Sequence, residues 1–392
     1  MINWKLKTRS QRPIGLDIGH SSIKMIQLAT SGGQISVLAA ARTYINPDIN
    51  DAAEVRRSFV VSAVKQMLAN GKFSGKDVVA SLPNDKLKIT SVRLTETEAG
   101  AIEEALKKEA AQRFGLDPEK DTINYITAGD VRQGDEVKNE FIIFATDNES
   151  IKSHIELLEE MGLCPVGLDT IPGALFRSFE RTLRRQEDRE RTTVFVDVGS
   201  RFTTVVFGRG GEISFVKQIP IGGQRFDQEI ASKLGVSIEE AQTLRGMLRT
   251  GKTANADFGT QGLSCGQATT VQTGLDVSTR QVIVDAVGSV AEELAKEISL
   301  CFRYYTVTFR GKRVEKAIFT GGEAYENILL NVLKRQLTVE IEVAQPLKGF
   351  DMKDVDFGND RRGWLCEWSV AVGLSLKGWD DNGEQRSNYE RN

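Results

Sequence analysis

The 392-residue sequence predicts an α/β fold of two facing half-domains with a cleft between them, and a small α+β module inserted into the first. Three observations predict it. A strand pair tipped by Asp-x-Gly occurs near the start, at Ile14–Leu28. The same pattern returns about half a chain later, at Val194–Phe207. An apolar strand ending in a double glycine, Thr320-Gly321-Gly322, then follows in the second half.

In the first pair, Ile14, Leu16 and Ile18 alternate along a strand, and Asp17 and Gly19 lead into the polar tip His20-Ser21-Ser22. The run Ile23-Lys24-Met25-Ile26-Gln27-Leu28 turns straight back, which is the period-two pattern of a β-hairpin. Gly19 has no β-carbon, so the backbone N–H groups of such a turn can approach an anion. Asp17 is a hard oxygen ligand suited to a water-clad Mg²⁺ beside phosphates. One Asp-x-Gly is an ordinary turn signal and carries little. The second copy changes that, because Asp197, Gly199 and a tip ending in Thr203 and Thr204 repeat the whole arrangement.

Length bounds the chain to two or three domains, with enough core to stand without disulfides or metal. Hydrophobic residues make up 40% and charged residues 27%, as in ordinary soluble proteins. A formal charge of −3 gives no electrostatic case for nucleic acid or an anionic membrane. Cys164, Cys265, Cys301 and Cys366 form no C-x-x-C pair and read as reduced thiols of a cytosolic protein. The only histidines are His20 and His154, which argues against a His/Cys metal site and a Ser-His-Asp triad. His154 is expected on the face of a surface helix. No apolar run reaches the ~18–20 residues of a membrane span. Residues 1–12 read as a basic, disordered leader and 380–392 as a frayed tail.

The first half-domain is assigned to 13–85 and 170–190. It holds the Asp17 hairpin, a third strand at Gln34–Ala40, a helix over 51–70 and a strand at Val78–Leu82. Val55, Phe59, Val60, Val64, Met67 and Leu68 give that helix its stripe, and Gly71 stops it. The module spans 86–169. It begins with an alternating strand, Lys86–Leu94, and a capping-box pair, Thr95 and Glu98, before a helix carrying Ile102, Leu106, Ala110 and Phe114. Strands at 121–127 and 140–146 flank a Gly134-Asp135 turn; a helix over 149–161 and a strand near 164–168 complete a split βαβ-like unit. A helix from Ile171 is expected under the first half, ending in a mixed-sign connector, Arg181–Arg191.

The second half-domain is assigned to 191–224 and 312–379, with a helical subdomain at 225–311. After the Asp197 hairpin and a strand at Glu212–Ile219, Gly222 and Gly223 sit at a strand-to-helix junction, where backbone can meet phosphate. Helices over 224–234 and 237–249 precede a glycine-rich, flexible loop at 250–273. Ile283, Val287, Val290, Leu294, Ile298, Cys301 and Tyr305 then mark a long helix whose stripe is core. Gly321 and Gly322, with a helix expected to begin near Glu323, let a base or phosphate lie against backbone. Trp364–Lys377 supplies a closing helix in which Ala371 and Gly373 allow close packing.

Three elements in this order resemble the actin-like ATPase superfamily, with its ribonuclease H-like halves. The opening Gly15–Lys24, the stretches Pro220–Phe226 and Gly235–Ala241, the module's end Glu160–Asp169 and the closing Ser369–Leu376 are similar to the PilM family of type IV pilus assembly proteins, relatives of the division protein FtsA. The resemblance implies a cytoplasmic scaffold at the inner membrane that binds ATP with Mg²⁺ and turns it over slowly or not at all. By position, Asp17 and Asp197 would face Mg²⁺ through waters. Gly19, His20, Ser21, Ser22, Lys24, Gly199, Thr203, Thr204, Gly222 and Gly223 would surround the phosphates. Gly321, Gly322 and Glu323 would lie against adenosine. Gln242 and Arg245 stand where the superfamily often carries Glu-x-x-Lys beside the ribose and adenine, and the loss of a charged acceptor at Gln242 costs about 1–2 kcal/mol. His20 replaces a small hydroxyl residue, which bears on hydrolysis more than on binding. The implied partner is the short cytoplasmic N-terminal segment of a bitopic inner-membrane protein like PilN, docked in a groove by the inserted module; self-association is also implied. Four other readings stay open: an FtsA-like division protein, a type II secretion platform protein, a small-molecule kinase and an actin-like filament former.

Overall fold

The computed structural model describes residues 10–31, 34–46, 49, 52–95, 99–133, 136–181, 183, 191–250, 275–309, 313–355, 357 and 362–377. The N-terminal leader up to residue 9, Glu98 of the capping box, the Gly134-Asp135 turn, most of the charged connector, the loop from 251 to 273 and the C-terminal tail lie outside these residues.

Strand β1 (Ser10–Ile18) pairs antiparallel with β2 (Ser22–Ser31), and β2 pairs antiparallel with β3 (Gln34–Tyr44). After helix α1 (Ala53–Asn70), β4 (Asp77–Ser81) joins β1 in parallel. The second half repeats this: β9 (Thr192–Val198), β10 (Thr203–Arg209) and β11 (Glu212–Ile219) form an antiparallel trio, and β12 (Val314–Thr320) joins β9 in parallel. Each sheet gains one outer parallel strand, β8 (Cys164–Asp169) in the first and β13 (Glu340–Val343) in the second. The two five-stranded sheets therefore have the same order, β3-β2-β1-β4-β8 and β11-β10-β9-β12-β13.

Period-two patterning explains how both sheet faces are buried. Ile14, Leu16, Ile23 and Met25 pack against Val60, Val64 and Met67 of α1. The opposite face carries Gly15, Asp17, Ile26 and Leu28. There the closing helix lies so close that a β-carbon on Gly15 would overlap the Ala371 carbonyl oxygen.

The remaining helices are α2 (Ala99–Phe114), α3 (Asn148–Glu160), α4 (Ile171–Glu180), α5 (Gly223–Leu234), α6 (Ile238–Thr250), α7 (Val277–Thr308), α8 (Asn327–Gln336) and α9 (Ser369–Ser375). Local sequence fixes several starts. Asp147, Thr170 and Asp276 cap α3, α4 and α7, and Ser237 and Glu240 bond each other's backbone N–H before α6. The α7 stripe from Ile283 to Tyr305 is buried as expected.

Four expectations need correction. Helix α3 and strand β8 do not complete the inserted module: β8 pairs with β4, and Leu158, Met161 and Leu163 join the α1 core. The module reduces to β5 (Lys88–Thr95), α2, β6 (Thr122–Gln133) and β7 (Glu136–Thr146), in sheet order β5-β7-β6. One face is covered by Leu106 and Ala110 of α2; from the other, Val131, Ile142 and Phe144 reach the second half's core. Secondly, the closing helix α9 returns to the first half, with Val370 and Leu374 against Val79 and Ala174. Helices α4 and α9 thus cross between the sheets, and α4 also sends Phe176 and Phe179 onto Phe195 of the second sheet. Thirdly, α8 begins at Asn327, not near Glu323, so Gly321 and Gly322 are not at a helix N-terminus. Lastly, His154 is buried, because it shares the inward stripe of α3 with Leu158; burial lowers its pKa to about 4. Among the described residues, no helix is long and apolar enough to cross a membrane.

Candidate functional site

The register puts Asp17 opposite Lys24 and Asp197 opposite Thr204, each at the end of its hairpin and on its sheet's inner face. Both turns close alike: Gly19 N–H donates to Ser22 O and Gly199 N–H to Phe202 O, each at 3.0 Å. Ser21 O accepts from Ile45 N–H at 2.9 Å, which ties the first tip to the strand beside it. Ser21 is exposed and His20 half-buried at that tip.

The two carboxylates face one another closely enough to interact. Burial and the nearby Asp17 push Asp197 up to about 7, and Lys24 offsets part of this. Burial also raises Asp17, opposed by Lys24, whose Nζ lies 3.6 Å from Asp17 Oδ2 and donates to Ser22 Oγ at 2.9 Å. Two desolvated carboxylates against one ammonium leave a place where positive charge is favourable. On the Asp197 face, the buried Thr204 hydroxyl has no hydrogen-bond partner among the described residues. Its neighbour Thr203 points the other way and donates to Ile221 O at 2.7 Å. Only one of the two threonines therefore faces the cleft.

Gly321 runs beside Asp197 with φ at 94°, and a β-carbon there would overlap Asp197 Oδ1 and lie 2.5 Å from Val198 O. At Gly322 a β-carbon would meet nothing within 4 Å, so this backbone borders open space. Gly222 and Gly223 reach the second turn, but the α5 terminus is already engaged. Gly223 N–H donates to Gly199 O at 3.0 Å and Gln224 N–H to Ser200 O at 2.8 Å.

Glu323, Gln242 and Arg245 come together in a buried ionic cluster. Arg245 Nη1 lies 3.1 Å from Asp227 Oδ1, Nη2 2.5 Å from Glu323 Oε2, and Nε 3.5 Å from Glu326 Oε2. Arg249 adds contacts to Glu323 at 3.2 Å and Glu326 at 3.6 Å, donates to Gly322 O at 3.2 Å, and stacks on Tyr325. Gln242 bonds to Asp227. Burial works to raise the Glu323 carboxyl, but Arg245 and Arg249 outweigh it and hold it below the usual range. Burial works to lower Arg245, and the surrounding carboxylates reverse that. Arg245 is thus committed to carboxylates in its own fold.

Sequence reasoning missed Arg56, Asn84, Asp85 and Arg201. Arg56, in the first turns of α1, donates from Nη2 to Gly19 O at 2.9 Å. Burial lowers its pKa, Asp85 opposes this and Arg201 adds to it. Gln218, the β11 neighbour of Thr204, donates to Asn84 Oδ1 at 2.9 Å and so links the two halves. No pattern marks these residues, since each is placed by a fold-level contact. Among the described residues, no group of three or more His, Cys, Asp or Glu side chains is arranged to hold a metal ion.

The model of the family described as type IV pilus assembly protein PilM matches residues 15–257. Among solved structures, the chain is similar to one from a "PilM-PilN type IV pilus biogenesis complex". Identity is 21%, the TM-score 0.73, and the match covers 94% of this chain and 98% of that one. It is also similar to the ethanolamine utilization protein EutJ from Carboxydothermus hydrogenoformans, at 14% identity and a TM-score of 0.50, covering 94% and 90%. These likenesses show an actin-like ATPase fold. With duplicated sheets, paired aspartate turns and a family match over more than half its length, the chain belongs to the PilM family of type IV pilus assembly proteins.

Proposed function

We propose that the chain is a cytoplasmic, ATP-binding actin-like scaffold of the type IV pilus inner-membrane platform, and that it docks the short cytoplasmic N-terminal segment of a single-span, PilN-like partner. The observation that carries the nucleotide reading is the facing pair Asp17 and Asp197, delivered by equivalent turns of two equivalent sheets. The residues present fit a magnesium-bound triphosphate: two buried carboxylates sharing one ammonium, a Thr204 hydroxyl with no partner among the described residues and open space beside Gly322 all favour it. A two-carboxylate site also suits Mg²⁺, which keeps most of its waters. When bound, the ion would neutralise phosphate charge.

In this reading Asp17 and Asp197 would hold the ion's waters, Lys24 opposes the burial that raises the Asp17 carboxyl, and Thr204 would donate or accept beside them. The double-glycine backbone lies along the nucleoside, with Gln242 at its edge. His20 stands at the phosphate tip, and turnover is slow or nil. The partner reading is supported by the likeness to a chain of the PilM-PilN complex. Titration of wild-type protein and Asp17→Ala with Mg·ATP tests the site: affinity should drop about tenfold or more in the variant, and equal affinity would count against it. A pull-down from membrane extract should recover a single-span protein, and removal of its cytoplasmic N-terminal segment should abolish recovery.

A further inference from the structure

The cations at the cleft are unevenly placed. Lys24 sits at the base, engaged with Asp17 and Ser22. At the mouth stand two arginines, one from each half. Arg56 reaches from α1 to the carbonyl of Gly19, at the first turn. Arg201 projects, exposed, from the second turn, inside the loop closed by Gly199 N–H and Phe202 O. The two guanidinium groups lie within electrostatic reach of each other, and Arg56 feels Arg201 as a repulsion.

The mouth is also where the halves are tied. Asn84 accepts from Gln218, Gln218 sits beside Thr204, and Thr204 sits opposite Asp197. Asp85, next to Asn84, faces Arg56. Like charges held on opposite walls repel when the space between them is filled by water, and attract a polyanion placed there. Guanidinium groups suit phosphate oxygens, because their planar fork donates two hydrogen bonds at once.

We propose that Arg56 and Arg201 form a clamp, one jaw from each half, that recognises the terminal phosphate of a nucleoside triphosphate. The proposal rests on the nucleotide reading above and adds a specificity to it. The third phosphoryl group supplies the charge that the two jaws answer, so the chain distinguishes a triphosphate from a diphosphate. Arg56 has a second duty, since it holds the first turn through Gly19 O, and Arg201 is therefore the cleaner probe.

The test is calorimetric titration of the full chain with Mg·ATP and Mg·ADP, for wild type, Arg201→Gln and Arg56→Lys. Wild type should bind ATP about tenfold or more tighter than ADP. Arg201→Gln should bring that ratio to about threefold or less while ADP affinity changes by less than about threefold. Arg56→Lys keeps the charge but loses the fork, and should lower the ratio in the same direction. An unchanged ratio in Arg201→Gln overturns the clamp and leaves nucleotide binding standing; so does a wild type that binds the two equally. A wild type that binds neither overturns the nucleotide reading, and the clamp falls with it.

Discussion

The Gly321 backbone is the wall on which the Asp197 carboxylate rests: a β-carbon there would overlap Asp197 Oδ1 and lie 2.5 Å from Val198 O. With φ at 94°, the position also disfavours any L side chain. Gly321→Ala should cost about 2–4 kcal/mol of stability, from strain and overlap together. Gly322→Ala next door, where a β-carbon meets nothing, should cost less than about 1 kcal/mol. Urea unfolding of the two variants checks the contrast.

Asp197 and His154 should pull the response to pH in opposite directions. Asp197 titrates near 7 in the fold instead of near 3.8, because of burial and then Asp17, with Lys24 opposing. Between those values the native state holds a proton that the unfolded state has released, so stability falls as pH rises. His154 titrates near 4 instead of near 6.5, because of burial, opposed by a backbone hydrogen bond to Ser81. Between those values the unfolded state holds the extra proton, so stability rises with pH. The two slopes oppose each other from about pH 4 to 6.5, with the raised Asp17 and Asp227 carboxyls adding to the falling side. Relative to wild type, Asp197→Asn should tilt the curve upward and His154→Leu downward, each on the order of 2–4 kcal/mol across the window. Urea melts of the three proteins at pH 4.5, about 5.5 and about 6.5 would show parallel curves if neither group titrates this way.

The ionic cluster around Arg245 should be far less tolerant than its surface counterparts. Arg245→Met would leave Asp227, Glu323 and Glu326 buried with Arg249 as the remaining cation among the described residues, at a cost of about 3–5 kcal/mol. Removing the opposing charge as well, in Arg245→Met with Glu323→Gln, should recover about 1–2 kcal/mol of that loss. Breaking the exposed Arg335–Glu292 pair by Arg335→Met should change stability by less than about 0.5 kcal/mol. Thermal denaturation of wild type, these three variants and Glu323→Gln alone gives the comparison, and an additive double variant would argue against a coupled cluster.

Much of the fold was legible because its strongest signals are local. Asp17 and Asp197 each sit in a run of about a dozen residues whose alternation, glycine and polar tip define a hairpin without outside help. The α7 stripe was legible for the same reason. The destination of α3, β8 and α9 was not, because it depends on partners far away in sequence: Leu158 on the α1 core, β8 on β4, Gly373 on Ala174. His154 could have been placed inward from its four-residue spacing to Leu158, but a histidine invites a polar reading. The commitment of Arg245 to Glu323 could not be read locally, since it joins α6 to the turn after β12. Arg56 carried no signal at all; only the fold brings it to Gly19 O.

The crossing of α9 over α4 has a mechanical meaning. A β-carbon on Gly373 would overlap the Ala174 carbonyl oxygen, so the two chains touch backbone to backbone with no side chain as a spacer. The crossing is also broad: Arg177 Nη1 donates to Gly373 O at 2.9 Å, and Val370 and Leu374 pack with Ala174, so the two helices cannot slide past each other without backbone overlap. The inserted module, tethered by its chain to one half, leans on the core of the other through Val131, Ile142 and Phe144. Movement of one half against the other would therefore be felt as shear along the module's seam. If an occupant at the rim fixes the tilt and a guest at the module prefers that tilt, each strengthens the other by the same factor, as thermodynamic reciprocity requires.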